Sequence, residues 1–193
     1  MAIRQPLRQE AAQGDEWTDY DGRPMSEAEF VALDDSCETD LEYYDGAARE
    51  KGVVDRNHGV LAGEFSGRFW LLAREAGGEH GPERRVRLPD GKYLKPDAAY
   101  WLPGIPAESD SLPTVAVEVR SPTETMASQR RKCRWYREAG VPVVWLVDPI
   151  SRTVEVFEGD LDGEPLPAAG VLSSPLLPGF AVPLPELWAA LDR

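Results

Sequence analysis

Apolar residues recur along this chain in short, interrupted runs that switch between helical and strand spacing. Val60, Leu61, Phe65, Phe69 and Leu72 fall at intervals near 3.6 and Gly77-Gly78 stops the run, so residues 57–76 are expected to form the first long helix. Upstream, Ser26 and Glu29 have capping-box spacing, which predicts a short helix with Phe30 and Leu33 as its apolar partners. Leu41 to Lys51 reads as a hairpin about Asp45-Gly46, a pair that supplies the positive φ angles of a tight type I′ turn. Residues 1–24 are polar and acidic without apolar periodicity, and are expected to be a disordered tail ahead of one domain over residues 25–193.

Beyond the long helix the pattern turns to strands. Arg85 to Leu88, a Pro89-Asp90-Gly91 turn and Tyr93 to Trp101 predict two strands, and a loop through Pro103, Pro106 and Pro113 leads to a third, Thr114 to Arg120. Ser121-Pro122 then opens a helix expected to last to Gly140. Val143 to Val147 is apolar on both faces, as a central strand covered on two sides must be. Asp148-Pro149 ends it, Thr153 to Phe157 forms another strand, and Glu186 to Leu191 a closing helix. This order of helices and strands predicts an α/β fold with a mixed β-sheet flanked by helices, preceded by an N-terminal helix and hairpin.

Charge changes the picture only locally. The net charge is −13, and residues 1–50 hold 14 acids against 4 bases. Residues 120–137 run the other way: Arg120, Arg130, Arg131, Lys132, Arg134 and Arg137 face only Glu124. A basic strip inside an acidic protein is compatible with phosphate contacts, which come mainly from Lys and Arg. Two cysteines, Cys37 and Cys133, exclude a Cys-rich zinc site and make the reducing cytoplasm the default compartment. No apolar stretch near the N-terminus has the length of a secretory signal or membrane anchor, so no membrane partner is expected.

The candidate chemistry centres on Thr114 to Arg120. Alternation puts Val115, Val117 and Val119 on one face and Ala116, Glu118 and Arg120 on the other. A carboxylate in the middle of an apolar strand is costly to bury unless a cation meets it, and here either Arg120 or a metal ion could do so. Lys95-Pro96-Asp97 places a second carboxylate where Pro96 interrupts a strand. If the two strands are neighbours, Asp97 and Glu118 converge in the manner Mg²⁺ or Mn²⁺ requires. On the helix after Glu118, Arg130, Arg131, Arg134 and Arg137 share one arc and Lys132 is the one base on the apolar side. Lys132 either pairs with Glu118 or a phosphate, or packs its stem and reaches water. The arginines either face solvent or hold a nucleic-acid backbone. His58 opens the long helix, where free N–H groups suit an anion.

Pro96-Asp97 followed by Glu118-Val119-Arg120 resembles the PD-(D/E)XK signature of metal-dependent nucleases, with Arg in the basic position. The wider frame of Val117 to Pro122, Lys132, Tyr136, Ala139-Gly140-Val141, Val144 to Pro149 and Ser174 to Gly179 is similar to the Uma-type family of restriction endonucleases, a branch of that superfamily. The resemblance runs from about Ser26 to Leu191. It implies a restriction-endonuclease-like core, Asp97 and Glu118 as metal ligands, and Arg120 or Lys132 as the basic catalytic group. His58 and Glu42 also stand where the family carries His and Glu. One departure is Ser128, which occupies a position where the family commonly has Asp.

The reaction implied is Mg²⁺- or Mn²⁺-dependent hydrolysis of DNA phosphodiesters, with Arg130, Arg131 and Arg134 on the backbone and a homodimer supplying two sites for two strands. Two other classes stay open at this point. One is a DNA-binding or assembly module that keeps the fold without catalysis, and the other is a metal-dependent hydrolase of a small phosphate compound.

Overall fold

The computed structural model describes residues 20–193, so most of the expected acidic tail lies outside the described residues. Residues 20–22 form a turn and Pro24 bridges to Ala47, which ties the end of that segment to the hairpin. The capping box of Ser26 and Glu29 opens α1 (Glu27–Asp34), whose Phe30 is fully buried. β1 (Leu41–Tyr44) and β2 (Ala47–Glu50) form the hairpin, with Asp45 at φ 54° and Gly46 at φ 71° as a type I′ turn needs. Asp55 caps α2 (Arg56–Ala76) by accepting from the His58 N–H at 2.8 Å.

Short strands follow: β3 (Glu79–Gly81), β4 (Val86–Arg87), β5 (Tyr93–Leu94) and β6 (Ala98–Trp101). The single strand expected over residues 93–101 is therefore two, because Pro96 cannot donate to a ladder. The chain changes sheets there. β5 joins the hairpin in a four-stranded sheet of order β2-β1-β5-β4, and β6 joins the central sheet.

β7 (Val115–Val119) is buried throughout, and α3 (Met126–Ala139) crosses over to β8 (Val143–Asp148). α3 begins four residues later than expected, with Thr125 rather than Ser121 at the cap. Glu124 turns back to accept from both the Ser121 N–H and hydroxyl, so residues 121–124 form a loop and Thr125 takes the cap. Ser128 closes that capping box, with its hydroxyl 3.1 Å from that of Thr125. Gly140, left-handed at φ 106°, ends the helix.

β9 (Thr153–Glu158), β10 (Glu164–Pro165), β11 (Val171–Ser173) and β12 (Ala181–Pro183) complete the strands, and α4 (Leu184–Ala189) leads into a 3-10 turn at Ala190–Asp192. The central sheet has the order β10-β9-β8-β7-β6-β3. β7 and β8 are parallel and the other pairings antiparallel, which is the mixed sheet expected.

Each face of that sheet carries its own apolar layer. Leu61, Phe65 and Phe69 of α2 pack with Val115, Val117, Val119, Trp145 and Phe180, while Cys133 and Tyr136 of α3 pack with Ala116, Val144 and Leu146. Covering both faces explains why β7 and β8 are near-continuous apolar runs. It also means that Glu118, on the α3 face with Ala116, lies between a sheet and a helix. No helix among the described residues is long and apolar enough to cross a membrane.

Gly78, at φ 88°, lets the end of α2 pass against β6: an added Cβ would lie 2.3 Å from the Trp101 carbonyl oxygen. Gly78→Ala is expected to cost about 3 kcal/mol, since the backbone on both sides would have to move. A fall in the urea midpoint at unchanged m-value checks it.

Candidate functional site

The break at Pro96 has a direct consequence for Asp97. Ala98 pairs with Val117, and the antiparallel register carried one residue further sets Asp97 opposite Glu118. Asp97 donates its own N–H to the Val117 carbonyl at 2.9 Å, and its Oδ2 accepts from the Val119 N–H at 2.7 Å. The carboxylate thus takes over a strand-pairing bond, which holds it rigidly at the end of β6. The two acids do converge, as the spacing predicts.

Two further side chains from outside the central sheet reach Asp97. His58 of α2 places Nε2 3.2 Å from Oδ2, and Lys51, the first residue after β2, places Nζ 2.8 Å from Oδ1. Burial would raise the Asp97 carboxyl, but the Lys51 ammonium and the His58 hydrogen bond hold it well below the usual range. In turn, burial pulls His58 down, but the hydrogen bond and the charge of Asp97 together outweigh it, so the imidazole holds its proton to a higher pH than usual. His58 therefore faces a carboxylate of the protein itself.

Lys132 is buried, with Nζ 2.9 Å from Glu118 Oε2 and 2.6 Å from Glu42 Oε1. Glu42 also accepts from the Lys95 N–H at 2.9 Å, which links α3, β7, β1 and the chain entering β6 through one ammonium group. Burial would lower Lys132, but the two carboxylates raise it well above its ordinary value. Glu118 is different, because its Oε1 is buried and has no hydrogen-bond partner. Burial pushes this carboxyl up to about 8 against the pull of Lys132, with Asp97 and Glu42 adding to the rise. The buried Tyr136 hydroxyl, whose proton Glu118 helps retain, also lacks a partner in hydrogen-bond geometry.

Arg120 does not join this group. β7 ends at Val119, and the Arg120 guanidinium turns to Asp148 at 3.2 Å and to the Glu124 carbonyl at 3.0 Å, so the Glu118–Arg120 pair does not form. Of the two basic candidates, Lys132 is the one that meets Glu118. On the outer arc of α3, Arg130 pairs with Glu155 at 2.5 Å and Arg134 with Asp162 at 2.7 Å. Arg131 lies over the Trp135 ring at 5.0 Å. Arg131 and Trp135 line a cleft of about 370 Å³ that also borders Glu42, Gln129 and Lys132, while Asp97 and Glu118 lie outside its lining. Trp101 is fully buried, whereas Trp135 is half-buried against Tyr44, with ring centroids 5.0 Å apart.

Sequence reasoning missed Lys51. It reads as the end of a hairpin strand, and no local pattern distinguishes it from a solvated base. Gln129, one turn before Cys133 on α3, is also buried, with an unpaired Oε1.

A carboxylate at a strand break, a second one on the neighbouring strand and a lysine from the crossover helix thus meet in one buried cluster. The family described as "Uma2: Putative restriction endonuclease" matches residues 27–185, and the chain belongs to it. Among solved structures, a "putative nuclease belonging to DUF820" from Anabaena variabilis ATCC 29413 matches 87% of this chain and 99% of its own. That match has a TM-score of 0.77 at 19% identity, a likeness of fold. A looser likeness, at TM-score 0.40 and 16% identity over 72% of this chain and 11% of the other, is to the cryoEM structure of a DrdV–DNA complex. No curated protein matches the sequence.

Two stability predictions follow from this geometry. Asp97→Ala leaves Lys51 buried without its carboxylate and is expected to cost about 3–5 kcal/mol in urea unfolding. Folded Glu118 holds its proton up to about pH 8, whereas the ordinary value is 4.5. Its contribution to stability is therefore unaffected below pH ~4.5 and worsens as pH rises towards 8. Across that window the urea midpoint of Glu118→Gln is expected to rise relative to the unsubstituted protein.

Proposed function

We propose that this chain is a divalent-cation-dependent endonuclease that hydrolyses DNA phosphodiester bonds. The observation that carries the reading is the buried, unpaired Glu118 Oε1, held beside Lys132 and across from Asp97. A carboxyl oxygen kept dry without a partner is costly, and a divalent cation displacing the Glu118 proton would supply one.

The donor set fits Mg²⁺ or Mn²⁺. Among the described residues no group of three or more His, Cys, Asp or Glu is placed to hold a metal. Two carboxylates, Asp97 and Glu118, are what a hard cation takes from protein when water and substrate phosphate complete its shell. Asp97 and Glu118 would hold the ion. When bound, it supplies charge that polarises a phosphoryl oxygen and lowers the pKa of a water.

The remaining work falls to the chain. Lys132, oriented by Glu118 and Glu42, presents a buried ammonium to the negative charge that builds on the phosphate in the transition state. His58 and Lys51 keep Asp97 ionised. Arg131, which lines the cleft beside Lys132, and Arg130 and Arg134 of the same helix would contact the DNA backbone. For the latter two this requires exchanging Glu155 and Asp162 for phosphate. A homodimer would bring two such sites to the two strands of a duplex.

Plasmid nicking in Mg²⁺ or Mn²⁺ tests the proposal. Activity is expected to vanish in EDTA and to fall by at least ~10²-fold in Glu118→Gln and Lys132→Met, the loss typical of removing one transition-state contact. Undiminished nicking by both variants would move the active site elsewhere. Salt-dependent duplex binding without cleavage would favour the non-catalytic module, and a flat salt dependence a small phosphate substrate.

A further inference from the structure

Lys51 already stands where a cation would approach Asp97. Its ammonium donates to Asp97 Oδ1 at 2.8 Å and to the Lys95 carbonyl at 3.0 Å, and lies 3.7 Å from Glu83 Oε1. Its side chain is only 10% exposed. The backbone at this point is fixed, since the Lys51 N–H donates to the Asp40 carbonyl at 3.0 Å and Gly52 abuts the Ser121 hydroxyl. Only the side chain is free to move.

We propose that Lys51 is a tethered cation that fills the Asp97 side of the metal site and gives up that seat to Glu83 when a divalent ion binds. The inference rests on the metal reading above. Two positive groups at van der Waals distance on one carboxylate oxygen repel strongly in a buried site. A tethered ammonium relieves that repulsion at least cost by swinging to a second anion within reach. Glu83 offers one: its carboxylate is 42% exposed, against 3% for Asp97, so the move is towards solvent.

Glu83 is placed for this. It adopts a left-handed backbone at φ 52°, unusual for a non-glycine residue, and its N–H donates to the Pro96 carbonyl at 2.9 Å, one residue from Asp97. Lys51 thus has a buried seat at Asp97 and a second, more exposed anion 3.7 Å away at Glu83. In the buried seat it neutralises Asp97 without satisfying Glu118 Oε1, which leaves the site one cation short.

The consequence is competition: Lys51 weakens metal binding by the free energy of its own bond to Asp97. Mn²⁺ titration of the full chain, followed by electron paramagnetic resonance of the free ion, reads this without reference to activity. Lys51→Gln keeps a donor for Asp97 and the Lys95 carbonyl but removes the charge, and is expected to bind Mn²⁺ at least tenfold more tightly. Glu83→Gln, at the exposed rim, removes the second seat and is expected to bind severalfold more weakly. Asp97→Asn is expected to abolish the binding. Equal or weaker Mn²⁺ affinity in Lys51→Gln, or unchanged affinity in Glu83→Gln, overturns the role of Lys51 alone. No Mn²⁺ binding by any of these proteins overturns the metal reading and this inference together.

Discussion

The buried carboxylate of Asp97 is the constraint on which the rest of the site depends. It accepts a strand-pairing hydrogen bond from Val119, an ammonium hydrogen bond from Lys51 and the His58 imidazole N–H. Through that one group the central sheet, the end of the hairpin and the first turn of α2 are fixed relative to one another. A carboxylate so deep is tolerable only because each oxygen has a donor. The donors come from elements far apart in sequence, so the site forms only when the fold is complete.

Lys132 performs the matching task on the other side. It is buried beneath α3 and bridges Glu118 of β7 to Glu42 of β1. The three carboxylates Asp97, Glu118 and Glu42 are thus met by two lysines, with His58 as a titratable third partner. One oxygen, Glu118 Oε1, is left over. Mutual pairing of these groups explains how so polar a cluster persists between two apolar layers.

Much of this was legible in the sequence, for reasons that can be stated residue by residue. The helices declared themselves through caps and period, as with Ser26 and Glu29 in α1 and the Leu61 to Leu72 spacing in α2. The alternation in β7 set Glu118 apart from the three valines, and the helical arc singled out Lys132. What escaped notice is equally specific. β3, β10, β11 and β12 are two or three residues long, too short for any period to register. The start of α3 was displaced because Glu124 satisfies Ser121 locally, which a capping pattern cannot reveal. Arg120 was misplaced because alternation holds only within a strand, and β7 ends one residue before it. Lys51 was overlooked because its importance lies entirely in a tertiary neighbour 46 positions away.

The crossover helix carries one more implication. α3 joins two parallel strands, so its N-terminus is pinned by Thr125 and Ser128 and its far end by Gly140. Lys132 lies between these anchors, two turns into the helix. Inserting one residue after the cap would rotate everything beyond it by roughly 100° and carry the ammonium from the sheet to the surface. Within α3, only exchanges that conserve length keep that phase.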